Sequence, residues 1–500
     1  MVVGGGAAGL SIALRLRERG ADVVVLERHT VGGGVTGGST AKVTALHGTL
    51  SSAIRRRHGP EVAGTYVRAN AAAVDDIQAT CDRYDIACGL TTADAVDYAA
   101  TPAGVEALDD ELASCRAAGL PVSRVSDASD VGLPFPIQGA IVVPDQAHLH
   151  PRRWCVGLAT ALGGDRVHEG TAVHRIDEDD DGCHAVTSAG VVHAEHAVVA
   201  THAPIVDPRY LTTRSRPHRS YVLAAQVDGP VPPGMYLSVD EPLRSLRPAT
   251  VDGVGYLVVA GEGHPVGDER DACAFLDVLE AWARRHFAVQ SVDHRWAAHD
   301  QMPADELPYV GRLTPGSRRW VATGFQKWGL TTSAVAAAII GDGILGQRHP
   351  AADVFDPTRL LSTFTGRLAA DVGRVASRYT GDHVRVALRA RGSRAERLAA
   401  VQPGDGVVLP EGRGGVAVHR SLDGALHAVS AVCTHEGCFV RFNRAQVSWD
   451  CPCHGSRFAV DGTVLCGPAV EDLSAVELEP VPVAVEGVDA GVGPDEVEQA

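Results

Sequence analysis

Val2-Val3-Gly4-Gly5-Gly6-Ala7-Ala8-Gly9 opens the chain, followed by the amphipathic run Leu10 to Arg19 and then Ala21-Asp22-Val23-Val24-Val25-Leu26-Glu27. The order is strand, glycine turn, helix, strand, acid: the βαβ unit that binds a dinucleotide. Gly4 makes the tight turn, Gly6 lets a pyrophosphate approach the backbone, and Gly9 lets the helix pack closely on the strand. The helix N-terminus offers unpaired N–H groups to phosphates. Glu27 closes the second strand, where a carboxylate can accept from the adenosine ribose hydroxyls. Only Met1-Val2-Val3 precede the turn, fewer than the roughly five residues of a usual strand. That fits equally a short first strand and a chain whose translation starts upstream of Met1. The stretch Gly255 to Gly263 has a strand and glycines, but Pro265 and Gly267 replace a helix start. A single dinucleotide is therefore expected.

The chain has 500 residues, room for two to four domains. Its net charge of −16 argues against nucleic acid or an anionic membrane as partner. With 45% hydrophobic and 21% charged residues it reads as a globular protein. The most apolar stretch, Ala334 to Ile340, is too short to span a bilayer. Glycine-rich chemistry starts at the fourth residue, so no signal peptide is expected and the expected location is cytoplasmic. Lys42 and Lys327 are the only lysines among 45 basic residues, and arginine is a poor stand-in for a small titratable ammonium. Val191 to Thr201 reads as one strand, Asp177 to Asp181 as a solvated hairpin tip, and Asp356 to Ser377 as a helix leading into an arginine- and alanine-rich linker.

The first 350 residues resemble the D-amino-acid oxidase superfamily of FAD-dependent oxidoreductases. The glycine turn with Glu27 carries the resemblance, followed by Gly34-Val35-Thr36-Gly37-Gly38-Ser39-Thr40-Ala41-Lys42, a segment that in the family runs beside the pyrophosphate and flavin. Glu169-Gly170-Thr171-Ala172-Val173 resembles the strand whose backbone holds the adenine, with Val173 at that place. Ala200-Thr201-His202 resembles the strand end near the ribityl chain, a histidine departing from the family's glycine. Pro308-Tyr309-Val310-Gly311-Arg312 and Ala322-Thr323-Gly324-Phe325-Gln326-Lys327-Trp328-Gly329-Leu330-Thr331 resemble the closing strand, turn and helix, whose amides reach the flavin pyrimidine. A helix N-terminus there stabilises negative charge on reduced flavin. Lys327 is a candidate for the same role and Trp328 for a wall of the substrate cavity. The resemblance thus implies FAD held by Gly4, Gly6, Gly9, Glu27, Arg28, Thr36, Thr40, Ala41, Lys42, Val173, Ala200, Thr201, Gly311, Gly324, Phe325, Lys327, Trp328, Gly329, Leu330 and Thr331. No histidine stands at Thr36-Gly37-Gly38 and no cysteine near Asp300-Gln301-Met302, so the FAD is expected to be non-covalent. Arg219, Tyr221 and His264 are candidates to line the substrate cavity, since the family commonly uses an arginine or tyrosine for a carboxylate.

Cys433-Thr434-His435-Glu436-Gly437-Cys438 and Cys451-Pro452-Cys453-His454-Gly455-Ser456 crowd the C-terminal part, whereas the six cysteines of the first 400 residues have no ligand spacing and read as apolar fillers. Two cysteines and two histidines can hold zinc. Two loops, each offering one thiolate and one imidazole, are also the ligand set of a Rieske [2Fe–2S] centre. The segment resembles Rieske domains: Cys433 and Cys451 would hold one iron, His435 and His454 the other. The pair Cys438 and Cys453 matches the loop-bridging disulfide of respiratory Rieske proteins. A disulfide in the cytoplasm would have to be shielded between the loops. The respiratory proteins carry a tyrosine two residues after the loop serine; here Ser456 is followed by Phe458. Losing that donor to a sulfur disfavours the reduced cluster and implies a potential below the top of the Rieske range. Cys466 reads as packing.

The expected fold class is α/β (α+β): an FAD-binding Rossmann-like domain with an inserted mixed-sheet substrate domain, then an all-β Rieske domain. The expected boundaries are 1–350 for the flavoprotein region (cofactor parts about 1–90, 145–205 and 300–350; substrate parts about 91–144 and 206–299). A helical linker follows over 351–384, the Rieske domain over 385–487 and a polar tail over 488–500. The expected activity is a dehydrogenase that oxidises a small amine or amino-acid-type substrate. Electrons then pass one at a time from FAD through the cluster to an external acceptor. The alternatives are a flavin/iron–sulfur carrier or redox sensor with no metabolic substrate, and an oxygenase partner, for which no two-histidine-one-carboxylate iron site stands out.

Overall fold

The computed structural model describes residues 1–267, 271–359, 373, 377, 394–411 and 414–478. Most of the linker expected over 351–384 and the tail over 488–500 lie outside the described residues, as does most of the helix expected at 356–377.

Two valines make the first strand, Val2–Val3, and it is central. It pairs in parallel with Ala197–Val199 on one side and Val25–Leu26 on the other. The full sheet runs Tyr309–Arg312, Arg319–Thr323, Ala197–Val199, Val2–Val3, Val25–Leu26, Val167–His168. Its central strands are covered on both faces, which is why they read as unbroken apolar runs rather than alternating ones. Helix Ala7–Glu18 starts directly after the glycine turn and packs against helices Gly329–Ile344 and Pro151–Leu162. The helix Gly329–Ile344 is apolar nearly all round because it is buried nearly all round, from Leu330 to Gly341.

Inserted into this unit is a larger mixed sheet. Its strands run Val289–Pro303, Ser215–Val227, Val254–Pro265, Arg244–Val251, Met235–Ser238, Thr91–Ala99, Gly139–His148, Lys42–Val43, with Ser123–Val125 beside Gly139–His148. All pairs are antiparallel except Met235–Ser238 with Thr91–Ala99. Gly255 to Pro265 is thus the interior of a sheet strand, and no helix follows it in the manner of a dinucleotide turn. Helix Ala272–His286 packs on this sheet through Phe275, Leu276, Leu279 and Ala283.

Val191 to Thr201 is two strands rather than one. Gly190–Ala194 closes a small hairpin sheet, and Ala197–Val199 enters the central parallel sheet. The chain changes sheets at Glu195-His196, an exposed acid followed by a half-buried histidine, which the apolar residues on either side conceal in the sequence. Asp179 to Asp181 forms the tip of the preceding hairpin, the Asp179 carboxylate accepting from the N–H groups of Asp181 and Gly182.

The C-terminal part is all β. Gly406–Glu411, Gly414–Arg420 and Leu426–Ser430 form one antiparallel sheet. Arg441–Asn443, Ser448–Asp450, Arg457–Phe458 and Val464–Cys466 form a second. Trp449, Phe458 and Val464 are buried together with four cysteines.

The seat of the first helix leaves no room for a side chain. A Cβ on Gly9 would lie 1.9 Å from the Gly4 carbonyl oxygen, a backbone atom that cannot swing aside. Gly9→Ala is expected to destabilise the fold by about 2–3 kcal/mol or more, since the helix must lift off the strand. Denaturant unfolding followed by circular dichroism checks this.

Candidate functional site

A cavity of about 1880 Å³ runs from the glycine turn across the face of the mixed sheet. Gly4, with φ +113°, presents its backbone to the cavity; a Cβ there would lie 2.4 Å from the Ala200 oxygen. A Cβ on Gly6 would meet Thr36 Oγ1 at 3.0 Å, and the same hydroxyl accepts from the Ala7 N–H at the start of the helix. The Glu27 carboxylate accepts from Gly5 N at 2.6 Å and His29 N at 2.9 Å, so it is oriented by backbone before any ligand arrives. Arg28, Thr40, Lys42, Val173, Ala200 and Thr201 face the same space. So do Gly324, Phe325, Lys327, Trp328, Gly329 and Leu330.

Four expected cofactor residues do not face it. Gly9 packs under the turn. Gly311 packs on Pro357, Ala41 is buried with its N–H held by Ser39 Oγ, and Thr331 turns its hydroxyl to His47. Gly9, Ala41 and Thr331 belong to wall-forming segments but turn to the far side of the wall, whereas the strand that holds Gly311 does not line the cavity.

The turn before helix Gly329–Ile344 is unusual. Gln326 and Lys327 both have left-handed backbone, φ 50° and 75°, a region non-glycine residues seldom occupy. Burial pushes Lys327 down in pKa, while Asp300 opposite raises it; burial pushes Asp300 up to about 6. Trp328 stacks on His47, ring centroids 4.3 Å apart and planes 12° apart. His47 Nε2 faces the Thr44 carbonyl at 2.7 Å, so that nitrogen carries the proton and Nδ1 accepts from the Tyr66 hydroxyl at 2.8 Å. Burial pushes His47 down to about 3, leaving a neutral imidazole behind the indole. His47 carries no local sequence signal.

The sequence reading puts Arg219, Tyr221 and His264 on the cavity, and the structure turns all three away. In strand Ser215–Val227 it is Ser220, Val222 and Ala224 that face the cavity, and the pleat sends Arg219 and Tyr221 to the opposite face. Arg219 donates to His299 Nε2 and pairs with Asp450. Tyr221 and His264 stack with Phe275 under the helix that covers the sheet. Among the buried polar groups that line the sheet side are Lys42, Arg247 and His148. Burial pushes Lys42 down to about 7 and Arg247 to about 10. Arg247 donates to the Thr40 carbonyl, and Lys42 Nζ to the Tyr236 carbonyl at 2.5 Å. His148 Nε2 is buried with no hydrogen-bond partner. The strand that holds Arg247 begins with a second buried arginine, Arg244, so the sequence does not single out Arg247.

The second centre lies in two loops. Cys433 N–H donates to the Cys438 carbonyl and Gly437 N–H to the Cys433 carbonyl. In the other loop Cys451 N–H donates to the Ser456 carbonyl and Gly455 N–H to the Cys451 carbonyl. A disulfide, Cys438–Cys453, ties the loops together, and both cysteines are buried, as shielding requires. Three sulfurs, those of Cys438, Cys451 and Cys453, come within 4.8 Å of one another, but two of them are taken up in that disulfide. The remaining donors are the buried free thiols of Cys433 and Cys451 and two imidazoles. His435 and His454 stand 5.0 Å apart with planes at 88°. His454 Nδ1 is buried without a hydrogen-bond partner, and burial pushes His454 down to about 4. A buried, neutral, unpartnered nitrogen in the same two loops as two buried free thiols suits a metal cluster. The Ser456 hydroxyl accepts from the Ala469 N–H at 3.0 Å. Cys466 is not simple packing; it faces the long cavity.

The sequence model of the family described as DAO, FAD dependent oxidoreductase, matches residues 1–342, and that of the Rieske [2Fe-2S] domain matches residues 396–479. The chain belongs to the FAD dependent oxidoreductase (DAO) family. It carries a Rieske [2Fe-2S] domain behind the family's oxidoreductase region, and its cofactors are FAD and a [2Fe–2S] cluster. It is 30% identical, over 96% of its length and 93% of the relative's, to the putative Rieske 2Fe-2S iron-sulfur protein YhfW of Bacillus subtilis (strain 168). It is 25% identical to the gamma-glutamylputrescine oxidoreductase of Escherichia coli (strain K12), over 69% of this chain and 83% of that one. Among solved structures, glycine oxidase from Geobacillus kaustophilus has the same fold over 72% of this chain and 98% of its own, with a TM-score of 0.61 at 20% identity.

Acid precipitation of the purified protein is expected to release FAD into the supernatant, with two irons per chain and no zinc by elemental analysis. Flavin that stays in the pellet would mean a covalent link. Phe458 is fully buried among the cysteines of the cluster loops. Phe458→Tyr is expected to raise the cluster potential, because a phenolic O–H donor to a sulfur favours the reduced state. Protein-film voltammetry of the full-length protein reads this; an unchanged or lowered value means the phenol reaches no sulfur.

Proposed function

We propose that this oxidoreductase is a dehydrogenase for a small amine or amino-acid-type substrate, and that electrons leave through the Rieske centre to an external one-electron acceptor. The observation that carries this reading is the single cavity shared by three parts of the chain. The dinucleotide turn, the mixed sheet and Arg457, Leu465 and Cys466 of the C-terminal region all line it. A plain oxidase that hands electron pairs to oxygen has no use for a one-electron cluster beside its cavity. The names of the relatives support the substrate class, one acting on gamma-glutamylputrescine and one on glycine.

FAD, when bound, takes two electrons from the substrate, and the cluster accepts one at a time. Cys433 and Cys451 would ligate one iron, and His435 and His454 the other. Gly4 and Gly6 would admit the pyrophosphate to backbone distance, and Glu27 would accept from the ribose. Lys327 and the amides beginning helix Gly329–Ile344 would hold negative charge at the flavin edge. Trp328, fixed by the His47 stack, would wall the substrate space. Arg247 and Lys42 are buried cations that a substrate carboxylate would neutralise, recovering part of the desolvation that depresses both. His148 Nε2 would accept a hydrogen bond from the substrate nitrogen. On composition alone the cytoplasm stays the proposed location. No helix among the described residues is long and apolar enough to cross a membrane.

Anaerobic addition of the right amine or amino acid should bleach the flavin; a carrier or sensor without a substrate would give no response across a broad panel. His454→Ala should keep FAD and keep that bleaching, while multiple turnover with a protein acceptor falls sharply. Normal turnover in this variant means the cluster is not the exit. Arg247→Met is expected to raise KM for a carboxylate-bearing substrate by about tenfold or more, with a smaller effect on kcat, as for loss of a buried charge-assisted contact.

A further inference from the structure

Asp450 immediately precedes the cluster-loop residue Cys451, and it is buried. Within its own domain it accepts from Asn443 Nδ2 at 2.8 Å, Ser448 Oγ at 2.9 Å and Arg457 Nε at 3.3 Å. Its remaining partner comes from the flavoprotein region: Arg219, equally buried, whose guanidinium also donates to His299 Nε2 at 2.9 Å. The two residues after His299, Asp300 and Gln301, line the long cavity. A buried charged group left without its partner is far costlier than an exposed one, so the two domains cannot separate here without a penalty.

A further contact says which edge of the cluster site meets the flavoprotein region. Gly455, next to His454, packs so closely on Pro217 that a Cβ would lie 2.8 Å from the proline Cβ, and 4.0 Å from Gln301 Nε2. The loop end that carries His454 therefore faces the wall of the flavin cavity, which Gln301 lines. At the far end of the interface, His29 Nε2 donates to the Val464 carbonyl at 2.9 Å and Arg28 to that of Val470 at 3.3 Å.

We propose that the Rieske domain is docked in one fixed pose across the flavin cavity, that electrons enter the cluster at its imidazole edge within the same chain, and that Arg219 is the positioning residue for this transfer. The proposal rests on the electron path put forward above. Each passage moves one electron from reduced flavin to the oxidised cluster, taking one ferric ion to ferrous. Two passages, with the external one-electron acceptor emptying the cluster between them, reoxidise the flavin and release its protons to solvent.

The test uses the full-length holoprotein. Flavin is reduced anaerobically by a light flash with a photoreductant, and cluster bleaching is followed. The expected rate is first order, independent of protein concentration and insensitive to added glycerol. A rate that rises with concentration or slows in proportion to viscosity overturns the fixed pose, whatever happens to any variant. Arg219→Met should retain FAD and iron, lose hydrogen-exchange protection over 448–456, and slow the transfer by at least about tenfold, as small misplacements of reacting groups do. Arg219→Lys should restore part of both. An unchanged rate in a fully loaded Arg219→Met overturns the role of Arg219. If the wild-type cluster takes no electron from flavin while Arg219→Met still loses protection at 448–456, the docking stands and the electron path fails.

Discussion

The contact between the Gly4 carbonyl and the Cα of Gly9 fixes the position of everything around the flavin cavity. The strand ahead of it is two residues long, too short to define its own direction. Its place is set from outside: Val2 N–H donates to the Val24 carbonyl, Gly4 N–H to Leu26, and Val198 and Ala200 donate to Met1 and Val3. The helix that follows is held by close approach rather than by side chains, since no Cβ fits at Gly4 or Gly9. Because the helix N-terminus, Thr36 and the Glu27 carboxylate are all referred to this turn, the phosphate-facing geometry is a property of backbone and survives side-chain variation elsewhere.

Charge is distributed against the average. A chain with 61 acids and 45 basic residues places both of its lysines and Arg247 at the buried cavity. Burial depresses Lys42, Lys327 and Arg247 alike. Asp97 acts on Lys42 and Asp300 on Lys327, so these two cations are partly balanced, whereas Arg247 is turned to backbone carbonyls. A lysine at 42 and at 327 is explicable in these terms. A compact ammonium fits a site where five guanidinium donors could not all be satisfied.

The sequence was most readable where chemistry lies in consecutive residues. The glycine turn, the 324–331 turn and the two cysteine–histidine loops each bring their own geometry, and the family models match the same regions. It was least readable on the mixed sheet. There a shift of one residue exchanges the faces of a strand, so Arg219 and Tyr221 could not be told from Ser220 and Val222 without the register. Arg247 and His148 reach the cavity from separate strands, and His47 finds Trp328 only through the fold. Likewise Val191 to Thr201 has the apolar content of one strand, and only the pairing partners divide it between two sheets.

Asp450 shows how the two domains depend on one another. A carboxylate buried one residue from a cluster loop cysteine opposes addition of an electron there unless its charge is balanced. Arg457 supplies part of the balance from within the C-terminal region, at 3.3 Å and through a half-buried side chain. Arg219 supplies the rest from the flavoprotein region, through a buried pair, and together the two hold the Asp450 carboxyl well below the usual range. Cut away from the flavoprotein region, the C-terminal β domain would expose Asp450 to water on the face where Arg219 stood, and Pro217 would no longer cover Gly455. Its imidazole edge would then be solvated and its nearest carboxylate less compensated. The setting of the cluster site is therefore written partly in residues 217–219, more than two hundred positions before the first cysteine of the loops, and the intact chain is the unit in which it has to be measured.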